Sequence, residues 1–245
     1  MSQTISSFLS EHLSDKKAIG ALNKKWLSYG ALRELKKDVH KALRKNGIAK
    51  QDRVAIVLPN GPTMATAFVT IAQCTTTAPL NPNYREDEFS FYLDDLKAKA
   101  LVVNDGYDGP AAAAAERLDI KIIRLIESDQ VAGLFSLVGD GDKDFIEDEE
   151  VCENDVALIL HTSGTTSRPK IVPLLQSNIA ASASNIAQSL SLSSADRCLN
   201  VMPLFHIHGL IAAVSASLSV GASIWCSSGF NALSFFSNLD EAKPT

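Results

Sequence analysis

The chain has 245 residues, of which 46% are hydrophobic and 21% charged, an ordinary globular composition that allows a substantial core. Its net charge is -5 and it has no basic stripe, which argues against a nucleic-acid partner. The four cysteines lie far apart without a C-x-x-C pair, so we expect no zinc site but free thiols in a reducing compartment: Cys74, Cys152, Cys198 and Cys226.

Segments with helical periodicity alternate with short apolar runs along the whole chain. The first part predicts helices at 28–46, 63–74, 86–97 and 110–118, and strands at 53–58, 78–80, 100–103, 120–126 and 134–138. The second part predicts strands at 156–160, 171–174, 198–202 and 223–226, and helices at 178–190, 209–220 and 232–239. Buried strands that alternate with helices predict an α/β fold of mostly parallel sheets flanked by helices.

An acidic segment lies between these two parts. From Asp140 to Asp155 there are nine acidic residues and one base, Lys143. We interpret it as a solvated loop, since its spacing does not match a calcium-binding loop. It is the only candidate boundary, near 139–155, and we expect it to separate two sheet-building halves.

Two further segments bear on membranes and targeting. The N-terminus has no basic region followed by an apolar stretch, so no secretory signal is predicted. The apolar segment 209–226 is interrupted by serines and glycine, which favours a buried helix and strand over a membrane span.

The most informative stretch connects two predicted strands and runs from Thr162 to Lys170. It places four hydroxyl residues around Gly164 and ends in a lysine. Gly164 allows close backbone approach, successive N–H groups can form an anion nest, and the lysine adds a charge suited to phosphate. A Walker A loop is excluded, because Pro169 precedes the lysine and a strand follows it. A polar surface turn is the alternative at this point.

The pattern T-S-G-T-T-S-x-P-K resembles the signature phosphate loop of adenylate-forming enzymes. A second family element is matched downstream, at 202–209, a third and weaker one at 26–29, and a further one at 73–84. The segments 78–84 and 88–93, taken with the loop, resemble the oxalate–CoA ligase branch, also called peroxisomal CoA synthetases. The resemblance covers nearly the whole chain but about the first half of a family catalytic chain, so residues 1–245 are expected to be a partial AMP-binding domain without its C-terminal domain.

The resemblance implies an acid–CoA ligase that uses ATP, Mg²⁺ and coenzyme A. A carboxylate, with oxalate favoured, attacks the α-phosphate of ATP, and the CoA thiol then displaces AMP. His206 would lie beside the acyl pocket and Lys170 would neutralise charge on the leaving pyrophosphate. The β- and γ-phosphates would be held by Thr162, Ser163, Gly164, Thr165 and Thr166.

Several family features are expected outside this chain. A glutamate for magnesium, an aspartate for the ribose and an adenylation lysine have no match here, so we expect the chain alone to be inactive. Two alternatives stay open: a ligase for medium-chain or aromatic acids, and a non-catalytic truncated product that binds nucleotide. The resemblance implies a cytoplasmic or peroxisomal location, and the sequence does not determine the oligomeric state.

Overall fold

The computed structural model describes residues 3–143, 150–162 and 169–245. Its helices are α1 Ile5–Ser10, α2 Tyr29–Lys45, α3 Pro62–Ala72, α4 Glu86–Leu96, α5 Pro110–Arg117, α6 Gln176–Ser189, α7 Ala216–Ser219 and α8 Phe235–Ala242, with a π-helical segment at His208–Ser215. Its strands are β1 Lys17–Gly20, β2 Leu27–Ser28, β3 Arg53–Val57, β4 Thr76–Pro79, β5 Ala100–Asn104, β6 Lys121–Glu127, β7 Phe135–Val138, β8 Val156–Thr162, β9 Lys170–Leu175, β10 Arg197–Asn200 and β11 Ser223–Cys226.

Seven strands form the larger sheet, in the order β7-β6-β5-β3-β4-β8-β9. Its inner neighbours run parallel, and β7 and β9 are antiparallel at the two ends. The central strand β3 is buried from Val54 to Val57, as expected for a parallel strand covered on both faces. The predicted α/β class with mostly parallel sheets is confirmed.

Four strands form the smaller sheet, in the order β10-β11-β1-β2. Here β1, near the start of the chain, pairs in parallel with β11, so that Ile19 lies opposite Ile224. The larger sheet likewise combines strands from both sides of the acidic segment, since β4 pairs with β8. The expectation that segment 139–155 separates two sheet-building halves is therefore wrong, because long-range pairing crosses it in both sheets.

The core lies around two helices. Helix α2 buries Leu32, Leu35, Val39 and Leu43 along one stripe, as its periodicity predicted. Helix α3 is buried from Thr63 to Ala72 and contacts strands of both sheets. Because α3 begins just after β3, the turn before it lies where the two sheets meet.

The helix predicted at 209–220 has a wider first part than expected. Residues His208–Ser215 are π-helical and continue into α7. The Ser215 hydroxyl donates to the Leu210 carbonyl, five residues back, at 2.8 Å, which suits the wider turn. Over the described ranges, no helix is both long and apolar enough to cross a membrane.

Candidate functional site

A cavity of about 660 Å³ lies among the turns that follow β3, β4, β10 and β11. All four strands run parallel to a neighbour, so the cavity lies at the carboxyl ends of both sheets, the usual ligand position in open α/β folds. Most of its lining is apolar, including Leu58, Met64, Leu80, Met202, Leu204, Phe205 and Phe230. Its polar lining residues are Asn60, Asn83 and Ser228.

Asn60 joins the turns of the two sheets at this cavity. It lies in the turn between β3 and α3, where the sequence predicted no more than the end of a strand. Its Oδ1 accepts the Leu204 N–H at 2.9 Å, and its Nδ2 donates to the Ser227 carbonyl at 3.2 Å. One side chain from the larger sheet therefore fixes the segments that follow β10 and β11.

Asn200 shapes the same region from within the smaller sheet. Its side chain is buried, accepts the Met202 N–H at 3.2 Å and donates to the Met202 carbonyl at 3.1 Å. Such local bonds are typical of asparagine in turns. The Ser227 hydroxyl donates to the Asn200 carbonyl at 2.9 Å and so connects the ends of β10 and β11.

His206 lies on the segment that this network holds, directly before the π-helical turns. Its side chain is exposed, and its ring lies 4.4 Å from that of Phe205, which lines the cavity. The Leu210 N–H donates to its carbonyl at 3.2 Å, which anchors His206 to the helix start. The predicted histidine thus follows the cavity-lining Phe205 directly in the chain, and it is not itself a lining residue.

Thr162 and Lys170 are the two described ends of the predicted phosphate loop. They lie opposite each other in the antiparallel pair β8–β9, so the loop connects two strands, as predicted. Both side chains are exposed. Because β8 runs parallel to β4, these ends lie at the same sheet edge as the turn after β4 that lines the cavity.

A hydrogen bond and an aromatic contact hold the end of β8. His161 Nε2 lies 3.1 Å from a carboxylate oxygen of Asp95 on α4, and its side chain is 7% exposed. Its ring makes an edge contact of 4.7 Å with Tyr92, which stacks on Tyr84 at 4.8 Å. Burial, and next the neighbouring Tyr92 hydroxyl, raise the pKa of Tyr84.

The remaining predicted phosphate contacts, Ser163, Gly164, Thr165 and Thr166, lie outside the described residues. The structure brings Thr162 and Lys170 together and places His206 on a different loop, after β10 of the smaller sheet. In the described part of the chain, no group of three His, Cys, Asp or Glu residues could hold a metal ion.

The chain is similar to one described family over nearly its full length. The family model described as AMP-binding enzyme matches residues 9–245. Oxalate–CoA ligase of Arabidopsis thaliana is 34% identical over 253 residues, which cover 100% of this chain and 49% of the relative. Oxalate–CoA ligase of Saccharomyces cerevisiae is 36% identical, covering 75% of this chain and 38% of the relative. The chain thus spans about half the length, or less, of these relatives.

Solved structures show the same fold. A long-chain-fatty-acid–CoA ligase from Archaeoglobus fulgidus aligns with a TM-score of 0.81 at 25% identity, over 99% of this chain and 50% of the other. ATP-bound MatB from Rhodopseudomonas palustris aligns with a TM-score of 0.80 at 22% identity, over 99% and 48%. At that identity the second likeness supports the fold alone.

Proposed function

We propose, because the chain belongs to the AMP-binding enzyme family, that the protein is an ATP-dependent acid–CoA ligase whose acid is oxalate. The observation that supports this most is the phosphate-loop sequence, whose ends Thr162 and Lys170 lie at the sheet edge beside the cavity. The choice of oxalate is supported by two relatives named oxalate–CoA ligase, at 34% and 36% identity.

The resemblance to adenylate-forming enzymes implies a reaction in two steps. A carboxylate oxygen attacks the α-phosphorus of ATP, and the bond to pyrophosphate breaks, giving an acyl-adenylate. The CoA thiolate then attacks the acyl carbon, and AMP leaves. Lys170, at the end of the loop, offsets the negative charge that grows on the leaving pyrophosphate. Preorganised charge of this kind makes the largest contribution to the rate of phosphoryl chemistry.

His206 supplies an imidazole donor near the developing acyl-adenylate. This role is supported by the Asn60 and Asn200 contacts to Leu204 and Met202, which hold the segment just before it. Holding a donor in place is valuable because orientation is fixed before the reaction begins. Among the described residues, no three His, Cys, Asp or Glu side chains form a group that could hold a metal ion.

The cavity lining favours a second candidate, a ligase for a medium-chain or aromatic acid. Oxalate has two carboxylates and no apolar surface, whereas most side chains around the cavity are apolar. Apolar pockets of this kind suit ligands with hydrocarbon surface. The two candidates share the adenylation chemistry and differ in the acid alone.

ATP–pyrophosphate exchange by a full-length protein that contains this chain separates the candidates. We expect exchange with oxalate and a loss of at least about a hundredfold for Lys170→Ala, since a preorganised charge typically contributes that much. His206→Ala should also weaken exchange, and His208→Ala, two residues further along, is the matched control. Exchange with hexanoate or coumarate but not oxalate would replace the first candidate by the second.

We also propose that the isolated chain cannot complete adenylation. It spans about half the length of its Arabidopsis relative, and the family's magnesium glutamate, ribose aspartate and adenylation lysine have no match in its sequence. The expected result is no acyl-CoA formation by the 245-residue chain under conditions where the full-length protein turns over. Measurable turnover by the isolated chain would overturn this.

A further inference from the structure

His161 lies at the base of the phosphate loop, and the reaction proposed above gives it no role. In the antiparallel pair β8–β9 it lies opposite Ile171, and the next pair along, Thr162 and Lys170, forms the two described ends of the loop. A movement of the His161–Ile171 pair is therefore passed on to both ends. The side chain of His161 is 7% exposed, which leaves little surface for a substrate to contact.

The His161 side chain lies on the face of the larger sheet that α4 covers. Successive strand residues alternate between the two faces, so the Thr162 side chain is directed to the opposite face. Ile171 shares the face of His161 and packs against the apolar cluster that contains Phe89 and Leu93 of α4. One side of the loop base is thus supported by α4.

A hydrogen bond to α4 fixes the His161 ring within this support. Its Nε2 donates to a carboxylate oxygen of Asp95 at 3.1 Å, since an ionised carboxylate can only accept. Hydrogen bonds to an ionised group are about twice as strong as neutral ones. The Tyr92 ring makes an edge contact with the same imidazole, at 4.7 Å between ring centres. Two contacts of different kinds therefore hold the ring, and through it the last pairs of β8 and β9.

Helix α4 is itself firmly placed, so it can serve as the fixed partner in this contact. Its Phe89 and Leu96 are buried, and Glu86 in its first turn pairs with Arg117 of α5 at 2.6 Å. Asp95 lies in its last turn. The ends of paired strands beside a loop, in contrast, are among the parts of a fold that open most easily. Without the bond to α4, we expect the last pairs of β8 and β9 to open more often.

We propose that His161 is a positioning residue for the phosphate loop and that the Asp95 carboxylate anchors it. The proposal rests on the proposed function, because the loop is taken there to hold the phosphates of ATP. It adds a pair of residues outside the phosphate contacts on which the use of ATP depends. Loss of the pair should impair the use of ATP and leave the acid site unaffected, since His206 lies on a different loop.

Kinetics of a full-length protein that contains this chain test the effect on ATP. In His161→Leu we expect the KM for ATP, measured by ATP–pyrophosphate exchange, to rise at least about tenfold, because a misplacement of about 1 Å can cost about a hundredfold. The KM for the acid should change less than about twofold. A merely structural role would lower the fraction of active protein, which reduces kcat and leaves both KM values unchanged. His161→Gln, whose amide N–H can still donate to Asp95, should restore most of the loss.

Variants on α4 test whether the two residues act as one unit. Asp95→Ala should raise the KM for ATP as His161→Leu does, and the double variant should have no larger effect than either single change. Asp94→Ala is the matched control, since the neighbouring Asp94 is exposed and pairs with Lys97 at 2.9 Å. Equal changes in the KM values for ATP and for the acid, or no change in either, would overturn the proposal.

Amide hydrogen exchange tests the anchor without the reaction. In the same full-length protein, the amides of β9 should exchange at least about tenfold faster in His161→Leu and in Asp95→Ala than in wild type, and at the wild-type rate in Asp94→Ala. Unchanged amide exchange in both anchor variants would overturn the proposal. A wild-type protein that shows no pyrophosphate exchange with any acid would instead remove the proposed function, and the amide measurement alone would then decide whether His161 and Asp95 hold the base of the loop.

Discussion

The cavity of about 660 Å³ and a second cavity, of about 450 Å³ among the ends of β1, β3, β5, β6 and β11, share the wall that carries Asn60 but differ in the pairing of some of their polar groups. Asn60, which lines both cavities, and Ser227, which lines the second, have hydrogen-bond partners within the fold. Around the second, Thr63, Asn104 and Trp225 each present a buried atom without one. Among the described residues, the buried side-chain atoms without a partner therefore all belong to residues that line the second cavity and not the first.

Thiol reactivity gives the largest expected contrast and tests whether the second cavity admits solvent. Cys226 lines that cavity, is buried, and has a pKa raised by burial and then by the neighbouring Cys198. A raised pKa means less thiolate at pH 8, so its alkylation should be at least about a hundredfold slower than that of the exposed Cys152. Timed iodoacetamide labelling with peptide mass spectrometry measures both rates.

A urea-unfolded sample is the control for that labelling, because all thiols should then react at similar rates. Comparable labelling of Cys226 and Cys152 in the folded protein would show that the second cavity opens readily. Its buried polar groups could then pair with water, and the contrast with the polar groups that are paired within the fold would fail.

The next effect concerns the shared wall. Asn60→Ala removes the acceptor of the Leu204 N–H and the donor to the Ser227 carbonyl, and it should destabilise the fold by about 1–3 kcal/mol. Asn83→Ala, in the same cavity but exposed, should cost less than about 0.5 kcal/mol. Amide hydrogen exchange adds a local readout: the Leu204 N–H should lose protection in Asn60→Ala and keep it in Asn83→Ala.

If Leu204 exchanges equally in both variants, Asn60 does not hold the segment that carries His206. The stability difference would then reflect general packing of the turn. That outcome would remove the distinction between the first cavity, shaped by internal bonds, and the second.

A smaller effect is expected at the end of β11. The Ser227 hydroxyl donates to the Asn200 carbonyl at 2.9 Å and accepts the Gly229 N–H at 3.2 Å. Ser227→Ala should therefore cost about 1 kcal/mol, a typical net value for a buried hydroxyl bond. Ser228→Ala is the matched control, since Ser228 is the exposed neighbour that borders both cavities. Equal costs for the two serines would contradict the role given to Ser227.

Much of the local structure could be predicted from the sequence, whereas the long-range pairing could not. Helix α2 and strand β3 follow their apolar patterns to within about one residue of the prediction. Helix α1 and strands β1 and β2 were not predicted, because they have 6, 4 and 2 residues and carry too little periodicity. The pairing of β1 with β11 has no local signal at all, since it joins residues about 200 positions apart.

The same distinction holds for the candidate site. The phosphate loop and His206 lie in contiguous motifs, so a resemblance could locate them. Asn60 sits in an ordinary turn sequence, and its role arises from contacts 144 and 167 residues away. The His161–Asp95 contact likewise joins positions 66 residues apart. The roles of Ser163, Gly164, Thr165 and Thr166 stay predictions.

The smallest expected effect concerns Asp155, a charged group that is paired with Lys50, whereas the groups compared so far are neutral. Burial raises the pKa of Asp155, but the Cys152 N–H at 2.7 Å and the Lys50 ammonium at 3.3 Å outweigh it, and the net pKa is lowered. A carboxylate whose pKa is lower in the folded state stabilises the fold at pH values above its unfolded pKa of about 3.9. This stabilisation is lost as the pH falls below that value and through the folded pKa.

Asp155→Asn should therefore lower stability at pH 7 by less than about 1 kcal/mol, as for a partly exposed ion pair, and the difference from wild type should shrink as the pH falls towards 3. Urea unfolding at several pH values measures this, with the exposed Asp129→Asn as control. A difference that stays constant from pH 7 to pH 3 would show that the bonds at Asp155 do not depend on its charge. The amide introduced at position 155 would in that case replace the carboxylate without a pH-dependent loss of stability. Paired and unpaired groups would then differ in hydrogen bonding alone.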